Sequence, residues 1–358
     1  MEIVTSRMDH IRTLVNEMIF NMDSPVQRHQ ASVHLYGVSS YASILALKRG
    51  LEPEISAIAG LLHQFYYYKT RIAHYPGVNS AETVRPILRD LQIFSKEEQR
   101  RILRAIFYQD HLMQVHDPYD EIIKDAVIVH QYVQHIDQPI SPYSAPRLVN
   151  TLNELSISIN HIDIDEITAT DSCIHSNIID KRQGLANIAE ELAGQVIVGI
   201  SGDRRYREIC QYWPDQDIHK VLQGNWCAAF VYHCCMLAGI VLPIRYPSGK
   251  YRLAGVGAML EWSQLPETGF FHRDQDHNFK PKRGDIVIYE KLLSDDSHDH
   301  VGIVLELDDD TILVAEGNKD NENYSDIVRR NRNHCILGYI RIDNEYLYSF
   351  NGMYDPIL

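Results

Sequence analysis

Residues 300–316 read HVGIVLELDDDTILVAE, so two apolar runs of strand length flank three aspartates. Such a pattern is typical of a β-hairpin with a short polar turn. Residues 286–289, which read IVIY, follow a turn that ends in Gly284-Asp285 and are predicted to form a further strand. These segments favour an antiparallel sheet in the second half of the chain.

The register of this hairpin decides which side chains share one face of the sheet. If the loop is the three aspartates, Leu307 pairs with Thr311 and, counting back along both strands, His300 faces Asn318. His300 then lies diagonal to Glu316, and all three polar side chains share one face. A loop of two or four residues would reverse the parity and separate them.

Cys227 follows Gly224-Asn225-Trp226 and precedes an apolar run with helical spacing. Asn225 is predicted to be the N-cap, which would place Cys227 in the first turn of the helix. There the unpaired backbone N–H groups and the helix dipole favour a thiolate, the reactive form of cysteine. The alternative is a structural cysteine in a core helix, since free cysteine is among the most buried residue types. The polar residues of the hairpin favour the catalytic interpretation, because a thiol nucleophile needs a base and a group that orients the base.

Four segments in order resemble the motifs of the CHAP (cysteine, histidine-dependent amidohydrolase/peptidase) domain family, namely residues 224–231, 282–287, 300–304 and 315–318. The resemblance covers about residues 185–345. It implies a papain-like α+β fold without a cofactor that hydrolyses amides, most often in peptidoglycan. By position it implies that Cys227 is the nucleophile, His300 the general base and then acid, Glu316 the group that holds the imidazole, and Asn318 a second polar support.

The first half of the chain contains long amphipathic runs and few strand signals, which predicts an all-helical domain. Over about residues 20–140 it resembles the HD metal-dependent phosphohydrolase superfamily. The resemblance implies a metal site at His34, His63 and Asp125, with a His-Asp pair where this chain has His63-Gln64. Because Gln64 is neutral and supplies no anionic oxygen, a binuclear centre is not expected.

His34, His63 and Asp125 still form a workable ligand set for one divalent metal, since three protein ligands plus water suffice for a catalytic site. The alternative is a degenerate HD-like domain kept for binding or regulation, with its histidines satisfied by local hydrogen bonds. Its ligand could then be a nucleotide or another phosphorylated molecule.

A chain of 358 residues exceeds the usual size of one domain. We predict an all-α HD-like domain at 1–157, a linker at 158–184, a CHAP-like domain at 185–348 and a tail at 349–358. The fold class is therefore multidomain, with an all-α domain followed by an α+β domain that contains an antiparallel sheet.

The net charge of −14 argues against nucleic-acid binding, because phosphate neutralisation needs a basic surface. The pair Arg329-Arg330 is interpreted as solvated surface. No apolar run of about 20 residues could span a membrane, and the N-terminus lacks the pattern of a signal peptide. We therefore expect a cytoplasmic protein, with delivery elsewhere by a specialised route as an alternative. The six cysteines show neither disulfide-framework nor metal-knuckle spacing, which fits this compartment.

Three functions compete on this evidence. The first is a cysteine amidase or peptidase that cleaves peptidoglycan. The second is an amidase for a small intracellular amide, such as a peptide or polyamine conjugate, under control of a ligand of the HD-like domain. The third is a single-metal phosphohydrolase with an accessory C-terminal binding domain. The missing HD aspartate counts against the third, and we favour a cysteine amidohydrolase.

Overall fold

The computed structural model describes residues 6–157, 180–247 and 249–358. Of these, 6–157 and Met353–Leu358 form one compact unit, and the others, up to Gly352, form a second. Most of the predicted linker, 158–184, lies outside the described residues. Its last part is helical, because a helix capped by Asp180 begins at Lys181.

The first unit is helical, as its sequence predicts. Its helices are α1 (Arg7–Phe20), α2 (Pro25–Lys48), α3 (Pro53–Leu62), α4 (Phe65–Thr70), α5 (Pro76–Leu91), α6 (Lys96–Phe107), α7 (Pro118–Gln134) and α8 (Ala145–Glu154). Four of them begin with a proline, whose fixed φ and missing N–H suit the first helical position. Its relation to the HD superfamily stays a prediction.

The centre of the first unit lies where α2 packs against α3 and α7. At Gly60 of α3 an added Cβ would come within 2.7 Å of the Cα of Ser39, so this contact requires a glycine. Among the described residues, no helix is both long enough and apolar enough to cross a membrane.

The second unit combines helices with an antiparallel sheet. Its helices are α9 (Lys181–Gly194), α10 (Arg204–Cys210), α11 (Ile218–Val221), α12 (Cys227–Leu237) and α13 (Val256–Ser263). Its strands are β1 (Phe271–Arg273), β2 (Ile286–Tyr289), β3 (His300–Leu307), β4 (Thr311–Glu316), β5 (Asp326–Asn331) and β6 (Ile336–Ile340). They form one six-stranded sheet in the order β1-β6-β2-β3-β4-β5. Helix α12 packs on β3 and β4 and is buried from Cys227 to Cys235.

The β3–β4 hairpin reaches the predicted register at its far end by an unpredicted route. Leu307 pairs with Ile312, not with Thr311, so the loop comprises residues 308–311. The predicted three-residue loop is therefore wrong. A β-bulge between Val304 and Glu306 then places one extra residue on β3. Beyond the bulge Val304 pairs with Val314, which is the register that the three-residue loop would have given.

The end of the chain is part of the helical unit. Tyr354 is fully buried, its ring stacks on Phe107 with 4.0 Å between centroids, and its hydroxyl donates to Glu82 at 2.8 Å. Arg85 donates to the carbonyl of Ile357 at 2.8 Å. The predicted tail at 349–358 therefore ends in a packed segment, because an aromatic ring and its hydroxyl both find buried partners there.

Candidate active site

Cys227 is the first residue of α12, and Trp226 occupies the N-cap position. The prediction that Asn225 is the N-cap is wrong, because the N–H of Asn225 donates to the carbonyl of Leu222 at 2.8 Å and Asn225 belongs to the preceding turn. The thiol still lies at the N-terminal end of the helix, where the first backbone N–H groups have no intrahelical acceptor. Cys227 is 7% exposed, so it is nearly buried but retains an opening to solvent.

His300 and Glu316 meet across the β3–β4 hairpin. The Nε2 of His300 lies 2.9 Å from Oε2 of Glu316, and both side chains are fully buried. His300 opens β3 and Glu316 closes β4, so the bulge-corrected register brings the two together. A carboxylate that accepts from one imidazole nitrogen fixes the ring orientation and its tautomer.

The other nitrogen of His300, Nδ1, is buried and has no hydrogen-bond partner of good geometry among the described residues. Cys227 nevertheless interacts with this ring. Burial alone would lower the pKa of His300, but hydrogen bonding to Cys227 and Glu316 and their negative charges raise the pKa to about 10. The imidazolium is therefore the favoured form when a thiolate and a carboxylate flank it.

Arg330 of β5 donates hydrogen bonds to both carboxylate oxygens of Glu316. Its Nε donates to Oε1 at 2.6 Å, and its Nη2 donates to Oε2 at 2.5 Å. Burial would raise the pKa of Glu316, but the hydrogen bonds from Arg330 and His300 hold the pKa below its ordinary value. The carboxylate is therefore ionised although it is fully buried.

The interpretation of Arg329-Arg330 as solvated surface holds for one residue and is wrong for the other. The side chain of Arg329 is 49% exposed, whereas that of Arg330 is 11% exposed. Successive side chains of a strand point to opposite faces, which separates the two. The sequence of β5 is DIVRRN, and so polar a segment carries no clear strand signal from which its inward arginine could be found.

Asn318, which the CHAP resemblance implied as a second polar support, contacts the chain before Cys227. Its Nδ2 donates to the carbonyl of Gly224 at 2.7 Å. Asn323 completes this support, because its Oδ1 accepts from the N–H of Gly224 and from Nε1 of Trp226, each at 3.1 Å. The two asparagines hold both sides of Gly224, whose φ of +76° is left-handed. Asn323 was missed by the sequence analysis because it lies outside the recognised motifs.

In the helical unit the structure brings together His34, His63 and a third histidine, His130. Nε2 of His34 lies 3.0 Å from Nε2 of His63, and the ring centroids of His34 and His130 are 5.1 Å apart. The Nδ1 of His63 lies 2.7 Å from the carbonyl of Gly60 and donates to it. Burial, followed by the effect of His130, lowers the pKa of His34 to about 4, so this cluster is neutral near pH 7.

Asp125 does not complete a metal site with these histidines. Arg49 donates to its Oδ2 at 2.6 Å and Arg147 to its Oδ1 at 2.7 Å, so two cations occupy both carboxylate oxygens. Within the described ranges, no group of three His, Cys, Asp or Glu side chains is arranged to hold a metal ion. The residues that the HD resemblance implied therefore do not fit a single divalent metal, because the anionic ligand is paired elsewhere.

A cysteine at a helix N-terminus beside a histidine and a buried carboxylate defines the general architecture of a cysteine hydrolase site. A comparison with protein families finds that the CHAP domain model matches residues 219–318. The matched range lies in the second unit and includes all four predicted catalytic residues, whereas Asn323 and Arg330 lie beyond it. No curated protein and no solved structure matches the chain. Over the matched range the chain is similar to a family whose members are generally cysteine- and histidine-dependent amidohydrolases or peptidases.

Proposed function

We propose that the second unit is a cysteine amidase or peptidase in which Cys227 is the nucleophile, His300 the general base and acid, and Glu316 the group that orients the imidazole. The observation that carries the proposal is the geometry of His300. Its Nε2 is held by Glu316 at 2.9 Å, which leaves Nδ1 for the thiol at the N-terminus of α12. Packing alone does not explain why the His300 imidazole and the Glu316 carboxylate are both fully buried, because burial of these groups is costly unless they are paired.

Before substrate binds, the proton of the Cys227 thiol has passed to Nδ1 of His300, which gives a thiolate–imidazolium pair. The thiolate then attacks the carbonyl carbon of the substrate amide, and the carbonyl π electrons move to oxygen to form a tetrahedral intermediate. As this intermediate collapses, the C–N bond breaks and the imidazolium delivers its proton to the leaving amine. A thioester on Cys227 and a free amine are the products of this half-reaction.

Water completes the cycle. His300 accepts a proton from water as its oxygen attacks the thioester, and the C–S bond breaks to release a carboxylic acid and the thiol. Backbone N–H groups at the start of α12, which have no intrahelical acceptor, are the proposed donors to the oxyanion in each step. Glu316 is not a proton acceptor in this scheme, because Arg330 and His300 stabilise its ionised form.

The proposed substrate is an amide bond in a peptide or in the peptide part of peptidoglycan, as the similarity to CHAP domains suggests. A small intracellular amide is the alternative substrate for the same chemistry. A phosphohydrolase centre in the helical unit is not proposed, because Asp125 is paired with Arg49 and Arg147.

The test is incubation of the purified protein with muropeptides and, in parallel, with a cell metabolite extract. We expect pairs of products whose masses add up to that of a substrate plus one water. Cys227→Ala and His300→Ala should each abolish their formation, whereas Cys335→Ala, which removes a partly exposed thiol outside the site, should not. Cleavage that persists in the Cys227→Ala variant would rule out the proposed nucleophile.

A further inference from the structure

Arg330 belongs to a line of charged side chains that leads from the surface to Cys227. Its Nη2 donates both to Oε2 of Glu316 at 2.5 Å and to Oδ1 of Asp320 at 2.8 Å. The guanidinium also lies over the ring of Tyr289, with 5.5 Å from its carbon to the ring centroid. Tyr289 in turn stacks on His300, with 6.2 Å between centroids. The arginine therefore contacts both the carboxylate and the ring that flank the imidazole.

The charges along this line alternate. Asp320 is negative, Arg330 positive and Glu316 negative, and His300 as imidazolium and Cys227 as thiolate would continue the series. Tyr289, a titratable group that stacks on His300, stays neutral, because burial and Glu316 raise its pKa well above the ordinary value. The fully buried Glu316 is thus neutralised by Arg330 before His300 takes up a proton.

This order of neutralisation has a consequence for the thiol. With Arg330 present, the buried Arg–Glu pair is neutral, so an imidazolium and a thiolate can form together without a net buried charge. Without Arg330, the imidazolium would be needed to balance Glu316, and a thiolate would add an uncompensated negative charge at low dielectric. Loss of the arginine therefore disfavours the thiolate even where His300 stays protonated.

We propose that Arg330 is a positioning residue that neutralises Glu316 and thereby allows Cys227 and His300 to form a thiolate–imidazolium pair near neutral pH. The inference rests on the proposed function, since it assigns Arg330 a part in activating the same nucleophile. Its bidentate contact also fixes the carboxylate in the plane that faces His300. A purely structural arginine would hold β5 to β4 but would leave the ionisation of the thiol unchanged.

The test measures thiol ionisation directly, without a substrate. Iodoacetamide alkylates thiolates, so the alkylation rate of the Cys227 peptide, followed by mass spectrometry from pH 4 to 10, reports the midpoint of thiolate formation. In Arg330→Gln we expect this midpoint to rise by about one pH unit, the lower end of the effect of a nearby charge. Cys335 in the same sample is an internal reference thiol.

Arg329→Gln is the matched control, because it removes the same charge from the adjacent residue on the opposite face of β5. It should leave the midpoint unchanged, since Arg329 pairs with Glu306 and Asp308 at the surface. Asp320→Asn removes the anion on the far side of Arg330 and should move the midpoint in the opposite direction, down by a fraction of a unit. Asparagine tolerates the left-handed backbone of this position, where φ is +49°, so this variant is expected to fold.

The outcomes separate the two proposals. A rise in Arg330→Gln together with an unchanged Arg329→Gln supports the inference, and an unchanged midpoint in a folded Arg330→Gln overturns it. If Arg330→Gln does not fold, Asp320→Asn decides, because an unchanged or higher midpoint there also contradicts the inference. If the alkylation midpoint of Cys227 in the wild-type protein does not lie at a lower pH than that of Cys335, the assignment of Cys227 as the nucleophile is contradicted.

Discussion

His300 is the residue on which the proposed chemistry depends, because it interacts with both Cys227 and Glu316. Its burial disfavours a charge, and its two anionic neighbours favour one. The neighbours prevail and raise the pKa of His300 to about 10. The same ring on the surface of a protein would be mostly neutral at pH 7.5.

This balance predicts how the folded protein responds to alkaline pH. The folded-state pKa of His300 lies above the unfolded value of about 6.5, so the stability that its proton contributes is fully present below about pH 6.5 and is lost as the pH rises through about 10. In a ¹³C NMR titration, the His300 ring should remain an imidazolium at neutral pH and lose its proton near pH 10. His300→Gln identifies the signal by its absence. A midpoint near 6.5 for this signal would show that the two anions do not prevail over burial.

At the scale of elements, the site depends on the close approach of β3 and β4. Gly302 lies two residues after His300 on the same face of β3. A Cβ at this glycine would come within 2.4 Å of Cγ1 of Val314 and within 2.9 Å of Cγ of Glu316. The absence of a side chain at Gly302 therefore leaves the room that Glu316 occupies.

Gly302→Ala should accordingly disturb both stability and catalysis. We expect a loss of about 1–3 kcal/mol in the free energy of unfolding, typical of an overpacked core, and a lower kcat because Glu316 is displaced from His300. Urea unfolding and initial rates measure the two effects.

Gly184→Ala is the matched control. Gly184 lies in α9, has room for a Cβ within the described structure, and should gain about 0.5–1 kcal/mol from the better helix former. Equal effects of the two substitutions on kcat would contradict the role given to Gly302.

The hairpin also shows which parts of the architecture the sequence could predict. The two apolar runs and the turn between them were sufficient to predict β3 and β4, whereas the meeting of His300 with Glu316 was predicted from a loop length that is wrong. The bulge at Val304–Glu306 could not be predicted, because it depends on how β3 fits between β2 and β4 and not on a local residue preference. The extra residue of the bulge compensated for the wrong loop length, so that His300 and Glu316 still share one face of the sheet.

Over the whole molecule, local patterns predicted the helical first half and the strands β2, β3 and β4, and the ordered motifs pointed to Cys227, His300 and Glu316 as the proposed catalytic residues. Ion pairs between residues that are far apart in the sequence could not be predicted. Arg330 contacts Glu316 from a strand of polar composition, and Asp125 is paired with Arg49, just after the end of α2, and with Arg147 of α8. Such ion pairs follow from tertiary packing, since many arginines in a sequence could serve either carboxylate.

The C-terminal segment of the helical unit is a further long-range contact with a measurable consequence. Tyr354 is fully buried, stacks on Phe107, donates to Glu82, and its N–H donates to the hydroxyl of Tyr108 at 2.7 Å. A chain that ends at Gly352 would leave this aromatic surface exposed. The last residues therefore stabilise a unit to which they are not adjacent in sequence.

Tyr354→Ala should destabilise the helical unit by about 3–5 kcal/mol, as expected for removal of a large buried aromatic side chain, and Tyr354→Phe by about 1–3 kcal/mol, because it deprives Glu82 of a buried donor. Met353→Ala is the control, since Met353 is 77% exposed and its loss should change stability by less than about 0.5 kcal/mol. Thermal unfolding measures the loss of stability. Hydrogen exchange of peptides from α5 and α6 shows whether the loss arises in the helices that Tyr354 contacts. The pH midpoint of Cys227 alkylation should stay unchanged in all three variants, because Cys227, His300 and Glu316 belong to the second unit. A Tyr354→Ala protein that unfolds like the wild type would show that the segment packs on the helices without stabilising them.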